Sequence, residues 1–299
     1  MEDQSQVESS MTRVLIAGCG YVGTALGKML AAEGHAVWGL RRRPELLPQA
    51  IAPFRADLCE PSALAGLPNQ LDFVFYLAAA DETSDAAYHS VYVVGLANLL
   101  EALLEQGQTP KRIFFTSSTA VYAQQDGEWV DENSPSQPDH FSGQRLLEAE
   151  QVLLSGPFAA TVVRLGGIYG PGRTGLIDSL RLREAARGPG DGAYTNRIHR
   201  DDCAGVLIHL MKLPNPEQLY IGVDDEPTAR NQMFDWLQKR TRISTQWARP
   251  APVGGLRRSS GNKRCSNRRL VASGYVFRYP TFREGYAAVL GQTDEPKLS

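Results

Sequence analysis

Three glycines in "GCGYVG", Gly18, Gly20 and Gly23, constrain this chain more than any other feature. They sit between the apolar run "RVLIAG" (13–18), which reads as a buried strand, and "TALGKMLAAEG" (24–34), which reads as a helix. Each glycine in this spacing has a mechanical reason. The first permits a tight turn, the second lets a pyrophosphate approach the backbone, and the third lets the helix pack on the strand. The helix N-terminus then offers unpaired N–H groups and partial positive charge to phosphate. A lone G-x-G-x-x-G is a weak signal, but its place between strand and helix makes it a strong one for a dinucleotide. Tyr21 and Val22 within the loop join the three glycines as candidate cofactor contacts.

The same alternation continues along the chain. "AVWGL" (36–40), "APFRADL" (52–58), "LDFVFYLAA" (71–79), "KRIFFTSS" (111–118) and "AATVVRLG" (159–166) read as strands. Helical patterns cover roughly 85–106 and the segment beginning "PDHFSGQRLLEAEQ" (138–151) to about 154. Continuous apolar strands separated by helices predict a parallel sheet covered on both faces. Right-handed crossovers then make it a doubly wound α/β sheet, a Rossmann fold.

After Gly170 glycine and proline become frequent ("GPGRTG", "RGPGDG") and the elements shorten. Residues 11–170 are therefore expected to form an NAD(P)-binding domain, with 195–223 returning to it. Residues 171–299 are expected to form a smaller α+β substrate-binding lobe.

A net charge of −2 argues against a whole-protein footprint for nucleic acid or an anionic membrane. The basic run 257–269 lacks interleaved aromatics, so it is read as meeting a diphosphate in the cleft or as solvated. No apolar run is expected to reach the length that spans a bilayer. "MEDQSQVESS" is acidic and polar, the opposite of a signal peptide; it is expected to fray, and Met11 is an alternative start. Cys19, Cys59, Cys203 and Cys265 are scattered without a C-x-x-C pair, which fits reduced thiols and no metal site. The expected location is the cytoplasm.

The end of the second strand should read the adenosine ribose. An acid there accepts from a free 2′-hydroxyl, whereas basic residues suit a 2′-phosphate. Here Arg41, Arg42 and Arg43 follow the strand and no acid occurs before Glu45. Guanidinium groups pair well with phosphate, which favours NADP over NAD. The alternative is a solvated basic turn.

The glycine loop together with "ADL" (56–58), "YLAAA" (76–80), "FTSSTAVY" (115–122), "RLGGIYGPG" (164–172) and "RIHRDDCAG" (197–205) resembles the extended short-chain dehydrogenase/reductases. These are the NAD-dependent epimerase/dehydratase family. The resemblance implies that Asp57 and Leu58 contact adenine and that Leu77, Ala78 and Ala79 lie near the cofactor ribose. It implies a cofactor contact at Thr116, a catalytic hydroxyl at Ser118, and backbone at Gly167 and Ile168 beside the nicotinamide. Asp201 or Asp202 is expected to cap the next helix. His199, Cys19 and Cys203 are read as structural, and Tyr122 and Tyr169 as packing or substrate-wall residues. A homodimer is the family expectation.

The family's working members open one helix with Tyr-x-x-x-Lys, whose i,i+4 spacing puts both groups on one face. The Lys and the cofactor charge lower the Tyr pKa, so that the phenol exchanges a proton as hydride moves. Aligned with that pattern, "FSGQR" puts Phe141 at the Tyr and Arg145 at the Lys. Phe has no proton to give; Arg still donates hydrogen bonds to ribose hydroxyls. The combination is similar to an atypical branch, sometimes called YeeZ-like, that lacks the standard Tyr. One implied activity is an oxidoreductase, epimerase or dehydratase acting on a nucleotide-sugar-like or small carbonyl or alcohol substrate. Its proton would then pass through His140 or water. The other reading is a noncatalytic NAD(P)-binding sensor or scaffold.

Overall fold

The computed structural model describes residues 11–181, 192–241 and 261–293. Seven strands form its main sheet. They are β1 (Arg13–Ala17), β2 (Ala36–Arg41), β3 (Ala52–Arg55), β4 (Phe73–Tyr76), β5 (Arg112–Ser118), β6 (Ala160–Leu165) and β7 (Leu219–Gly222). All pair in parallel, in the order β3-β2-β1-β4-β5-β6-β7. The order reverses between β1 and β4, which opens a crevice at their C-terminal ends. This is the doubly wound sheet expected from the alternating apolar runs.

Side chains along each strand alternate between the two faces. Leu15 and Ala17 of β1 join one apolar cluster with Val74, Tyr76, Ile113, Phe115 and Val162. Val14 and Ile16 join the other, with Phe75, Phe114 and Val163. The first face is covered by helices α2 (Gly95–Glu105) and α3 (Phe141–Leu154), through Leu96, Leu99, Leu103, Leu146 and Leu153. The second is covered by α1 (Tyr21–Ala32) and α4 (Arg200–Lys212), through Leu26, Leu30, Val206, Leu207 and Leu210.

Asp85–Tyr88 and a π-helical turn at His89–Val94 run directly into α2. The resulting helix, Asp85–Glu105, has 21 residues and is long and apolar enough to cross a membrane. That corrects the expectation that no segment reaches this length. Leu96, Leu99, Leu100 and Leu103 pack into the apolar cluster on the sheet, whereas Leu104 is exposed.

A buried ion pair links the sheet to α3. Arg164 of β6 donates to both carboxylate oxygens of Glu150, at 3.0 Å from Nε and 2.6 Å from Nη2, and both side chains are almost fully buried. Ser117 at the end of β5 donates to the same carboxylate at 2.5 Å. Arg164 also donates to the Tyr122 hydroxyl at 2.8 Å and to Ser136 at 2.9 Å.

The N-cap of α4 differs from expectation. The His199 side chain, not Asp201 or Asp202, accepts from the Asp201 N–H at 3.1 Å. Asp202 instead accepts from the Tyr275 hydroxyl at 2.8 Å and from the N–H groups of Arg278 and Tyr279. It thereby holds a segment more than seventy residues away in sequence, a role that local spacing does not reveal.

Burial pushes His199 down from 6.5 to about 4, with Arg200 and Arg278 adding to the effect and Asp201 opposing it. The unfolded chain therefore takes up a proton between pH 6.5 and about 4 that the folded chain declines. This contribution to stability is present above pH 6.5 and is lost as pH falls toward 4. Thermal melts across that window should decline more steeply for the native chain than for His199→Asn, which keeps a cap acceptor without titrating. Equal slopes would remove His199 from the acid response.

Helices α5 (Arg230–Thr241) and α6 (Phe282–Thr293) contribute to a third apolar cluster, with Met233, Phe234, Leu237, Phe282 and Val289 around Tyr169 and Ile177. Three short strand pairs lie outside the main sheet: 167–169 with 197–199, 194–195 with 228–229, and 128–130 with 263–265. Lys263 is buried and donates to the Tyr122 carbonyl at 2.6 Å, so this member of the basic run is neither solvated nor at the cleft. Arg264 packs over the rings of Trp129 and Tyr194. Arg257 and Arg258 of the same run, and the N-terminal segment expected to fray, lie outside the described residues.

Candidate functional site

A cleft of about 530 Å³ runs along the C-terminal ends of the main strands. Its first wall is the loop between β1 and α1. Gly18 has φ +87°, and a Cβ there would lie 2.2 Å from the Ala78 nitrogen. Only glycine lets the loop pass the end of β4 so closely. The backbone N–H groups of Gly18 and Cys19 both donate to the Leu40 carbonyl at 3.0 Å, tying the loop to β2. At Gly20 an added Cβ would meet nothing nearer than the Gly18 carbonyl at 3.9 Å, so this position opens onto the cleft. At Gly23 it would lie 3.0 Å from Ile16, where helix meets strand. Helix α1 starts at Tyr21, three residues before the sequence pattern places it. It has no side-chain cap and no acid in its first turn, which leaves its positive end to the cleft.

The other walls follow strand by strand. Arg41, Arg42 and Arg43 come from the end of β2, and Asp57, Leu58 and Cys59 from the end of β3. Leu77, Ala78, Ala79 and Asp81 follow β4; Thr116, Ser117 and Ser118 close β5; Gly166 and Ile168 follow β6. Strands β3 and β4 end earlier than their apolar runs suggest, which places 56–58 and 77–79 in the lining. The predicted residues Gly18, Gly20, Tyr21, Val22, Arg41, Arg42, Asp57, Leu58, Leu77, Ala78, Ala79, Thr116, Ser118 and Ile168 thus share one cleft.

The side-chain contacts within it are specific. Arg41 donates to the Cys19 carbonyl at 3.3 Å, beside the glycine loop. Arg42 pairs with Asp81 at 2.5 Å. Asp57 accepts from the Cys59 N–H at 2.9 Å, and Thr116 donates to the Tyr76 carbonyl at 3.3 Å. Ser118 accepts from the Ala120 N–H at 3.2 Å, which fixes its hydroxyl as the cap of a short turn.

Four predicted residues lie apart from the lining. Gly23 packs helix on strand, as expected of a third glycine. Gly167 is exposed and pairs with Arg197, while its neighbours Gly166 and Ile168 reach the cleft. Phe141 begins α3 and packs edge-on against Tyr88 at 5.4 Å. Arg145 is held by two carboxylates: its Nε and Nη2 donate to Asp85 at 2.8 and 3.0 Å, and its Nη1 to Glu148 at 2.8 Å. These partners raise its pKa further and turn the guanidinium toward the helix 85–105, which corrects its expected place among the cleft residues.

His140 caps α3 by accepting from the Ser142 N–H at 3.3 Å, a structural duty for a residue considered as a proton carrier. Cys19 is buried, and burial pushes its thiol up to about 11. Among the described residues no group of three or more His, Cys, Asp or Glu side chains is placed to hold a metal.

Sequence reasoning missed Cys59, Asp81, Val91, Tyr92 and Arg173 in the lining. Asp81 directly follows "YLAAA" (76–80), so its place beside the cleft is a local signal. Val91 and Tyr92 sit in the π-helical turn, where helical phase shifts and a 3.6-residue period points to the wrong face. Arg173 depends on how the loop 170–173 folds back, which spacing alone does not encode.

A glycine loop opening onto strand-end walls has the shape that a dinucleotide requires. The model of the NAD-dependent epimerase/dehydratase family matches residues 14–222. The chain belongs to that family. YeeZ of Escherichia coli strain K12 is 25% identical to this epimerase/dehydratase-family chain over 291 residues, covering 90% of this chain and 97% of YeeZ. A solved structure from Methylobacillus flagellatus, described as an NAD-dependent epimerase/dehydratase, is 38% identical. It covers 96% of this chain and 100% of its own, with a TM-score of 0.80. The structure of MoeE5 with UDP-glucuronic acid and NAD is 23% identical, with a TM-score of 0.77 over 94% of this chain and 98% of its own. That last likeness carries the fold. Membership makes NAD(P) the cofactor class of this epimerase/dehydratase-family protein.

Proposed function

We propose that this chain binds NADP in the strand-end cleft and acts as an oxidoreductase or epimerase-like enzyme. Its substrate would be nucleotide-sugar-like or a small carbonyl or alcohol, and proton transfer would bypass the usual Tyr-Lys pair. The observation that carries this reading is Gly20. It faces open cleft at an uncapped helix N-terminus, with the other walls built from successive strand ends. A bound nicotinamide dinucleotide supplies or accepts hydride.

The chain's own groups supply the rest. The glycine loop would hold pyrophosphate, and Arg41 with Arg42 the 2′-phosphate. Asp57 and Leu58 would border the adenine; Leu77 to Ala79 and Thr116 would border a ribose. The Ser118 hydroxyl would polarise a substrate oxygen. A nucleotide-sugar substrate gains support from the UDP-glucuronic acid bound to MoeE5. The cysteines are free, which supports a cytoplasmic setting.

The first test is a titration of NADPH and NADH by intrinsic fluorescence. In Arg41→Ala/Arg42→Ala, loss of charge-assisted bonds should weaken NADPH by about 10- to 100-fold. NADH should change by less than about threefold, since it lacks the phosphate these groups would meet. Equal losses for both would sink the preference for NADP. Turnover is then screened over alcohols, aldehydes and nucleotide sugars, and Ser118→Ala should abolish any rate found.

The second reading, a noncatalytic NAD(P) sensor, is favoured by one arrangement. Phe141 is packed against Tyr88 and Arg145 is committed to Asp85 and Glu148. Dinucleotide binding without turnover on any of these substrates would select it.

A further inference from the structure

We propose that Arg173 grips the pyrophosphate of the dinucleotide, reaching the cleft from the loop 170–173. The inference rests on the dinucleotide reading above and adds a binding residue from the C-terminal half of the chain.

The loop is built to present this side chain. Gly170 and Gly172 have φ +149° and +75°, and Arg173 N–H donates to the Gly170 carbonyl at 3.0 Å, closing a tight turn. The turn is fastened to the glycine loop itself. The Tyr21 hydroxyl donates to the Pro171 carbonyl at 2.9 Å. An added Cβ at Gly170 would lie 2.9 Å from that hydroxyl, so the two loops are in direct contact. The Arg173 guanidinium lies 5.8 Å from the centre of the Tyr21 ring, within the range where a cation is attracted to the ring face. Tyr21 is thus both tether and platform.

Charge then assigns the ligand. Arg42 is paired with Asp81, Arg145 with Asp85 and Glu148, and Arg200 with Asp201. Arg173 has no carboxylate partner among the described residues, although it lines the cleft. Arg41, Arg42, Arg43 and Arg173 face only Asp57 and Asp81 there, an excess of two positive charges (four against two). A guanidinium is suited to bidentate pairing with phosphate oxygens. Its neighbour on the lining is Tyr21, the residue after Gly20, so the phosphates concerned are those the glycine loop would hold, not a distant anion.

The test compares native chain, Arg173→Gln and Arg173→Lys, titrated with NADPH, ADP, 2′-AMP and UDP-glucose by intrinsic fluorescence. Arg173 is exposed, so melting temperatures should stay together. Arg173→Gln should weaken NADPH and ADP by about 10- to 100-fold, leave 2′-AMP within about twofold, and lower the salt dependence of NADPH binding. Arg173→Lys should recover part of the loss, since it keeps the charge without the fork. Tyr21→Leu, which removes the platform, should weaken NADPH in the same direction.

Unchanged NADPH affinity in Arg173→Gln overturns the proposal. So does a loss confined to UDP-glucose, which would give the guanidinium to a substrate diphosphate. Failure of the native chain to bind NADPH at all overturns the dinucleotide reading instead, and that outcome is visible before any variant is made.

Discussion

Replacing Gly20 by Asp is expected to abolish dinucleotide binding while leaving the protein folded. The Cβ has open space, with the Gly18 carbonyl 3.9 Å away as its nearest neighbour, while the backbone there, at φ −95° and ψ −135°, lies outside the α and β regions that side chains favour and adds modest strain. The carboxylate, however, would stand at the end of α1 where phosphate is held by backbone N–H groups. Two like charges about 4 Å apart repel by roughly 4 kcal/mol at a near-surface dielectric. The variant should therefore lose at least about 100-fold in NADPH affinity. Backbone strain of roughly 1–3 kcal/mol should lower its melting temperature by only about 2–8 °C, so the protein stays folded at the temperature of the titration. Gly18→Ala supplies the contrast. Its Cβ would lie 2.2 Å from the Ala78 nitrogen at a φ of +87°, so that change adds a backbone clash to the strain and should lower the melting temperature much further. If Gly20→Asp binds NADPH as the native chain does, phosphate does not sit on this loop.

The second large effect concerns stability. Glu150→Ala is expected to cost about 3–5 kcal/mol, because it leaves the Arg164 guanidinium charged and buried without its carboxylate. In a protein of this size that corresponds to a melting temperature lower by on the order of 10 °C. The double variant Glu150→Leu/Arg164→Met should recover a good part of the loss, since removing both charges removes the desolvation problem. Recovery will be incomplete, because the hydroxyls of Ser117, Tyr122 and Ser136 lose partners with them. A Glu150→Ala melting within about 2 °C of the native value would show that Arg164 finds other compensation. Ser117 is also a cleft residue, so the same variant should weaken NADPH binding when measured well below its melting temperature.

Much of the main sheet was legible because its signals are local. Apolar runs such as 13–18 and 111–118 are short, continuous and bounded, and the loop between β1 and α1 announces itself by glycine spacing. The cleft residues near strand ends follow from that reading, since in a parallel sheet the C-terminal ends share one edge. Other features depend on partners distant in sequence. Arg145 pairs with Asp85, sixty residues earlier, and this contact sets where its guanidinium points. Position alone makes Asp201 or Asp202 a candidate helix cap; the partners that occupy Asp202 lie at 275–279. Lys263 belongs to a basic run whose composition suggests a cleft diphosphate or solvent, yet its ammonium is buried against the Tyr122 carbonyl. Tyr92 is not legible from a 3.6-residue period because the π-helical turn alters the helical phase there.

The arrangement of the cleft also bears on how such a protein changes over generations. The sheet is held by backbone pairing and by side chains on its two faces, whereas most cleft residues hang from the segments just beyond the strand ends. A substitution at Arg42, Asp81 or Arg173 leaves strand register untouched. Selection can retune what is bound through point changes at this rim, one segment at a time, without passing through unfolded intermediates. Ser117 is the exception, since its hydroxyl is shared with the buried Glu150–Arg164 pair. At that point ligand choice and folding stability are expected to drift together or not at all.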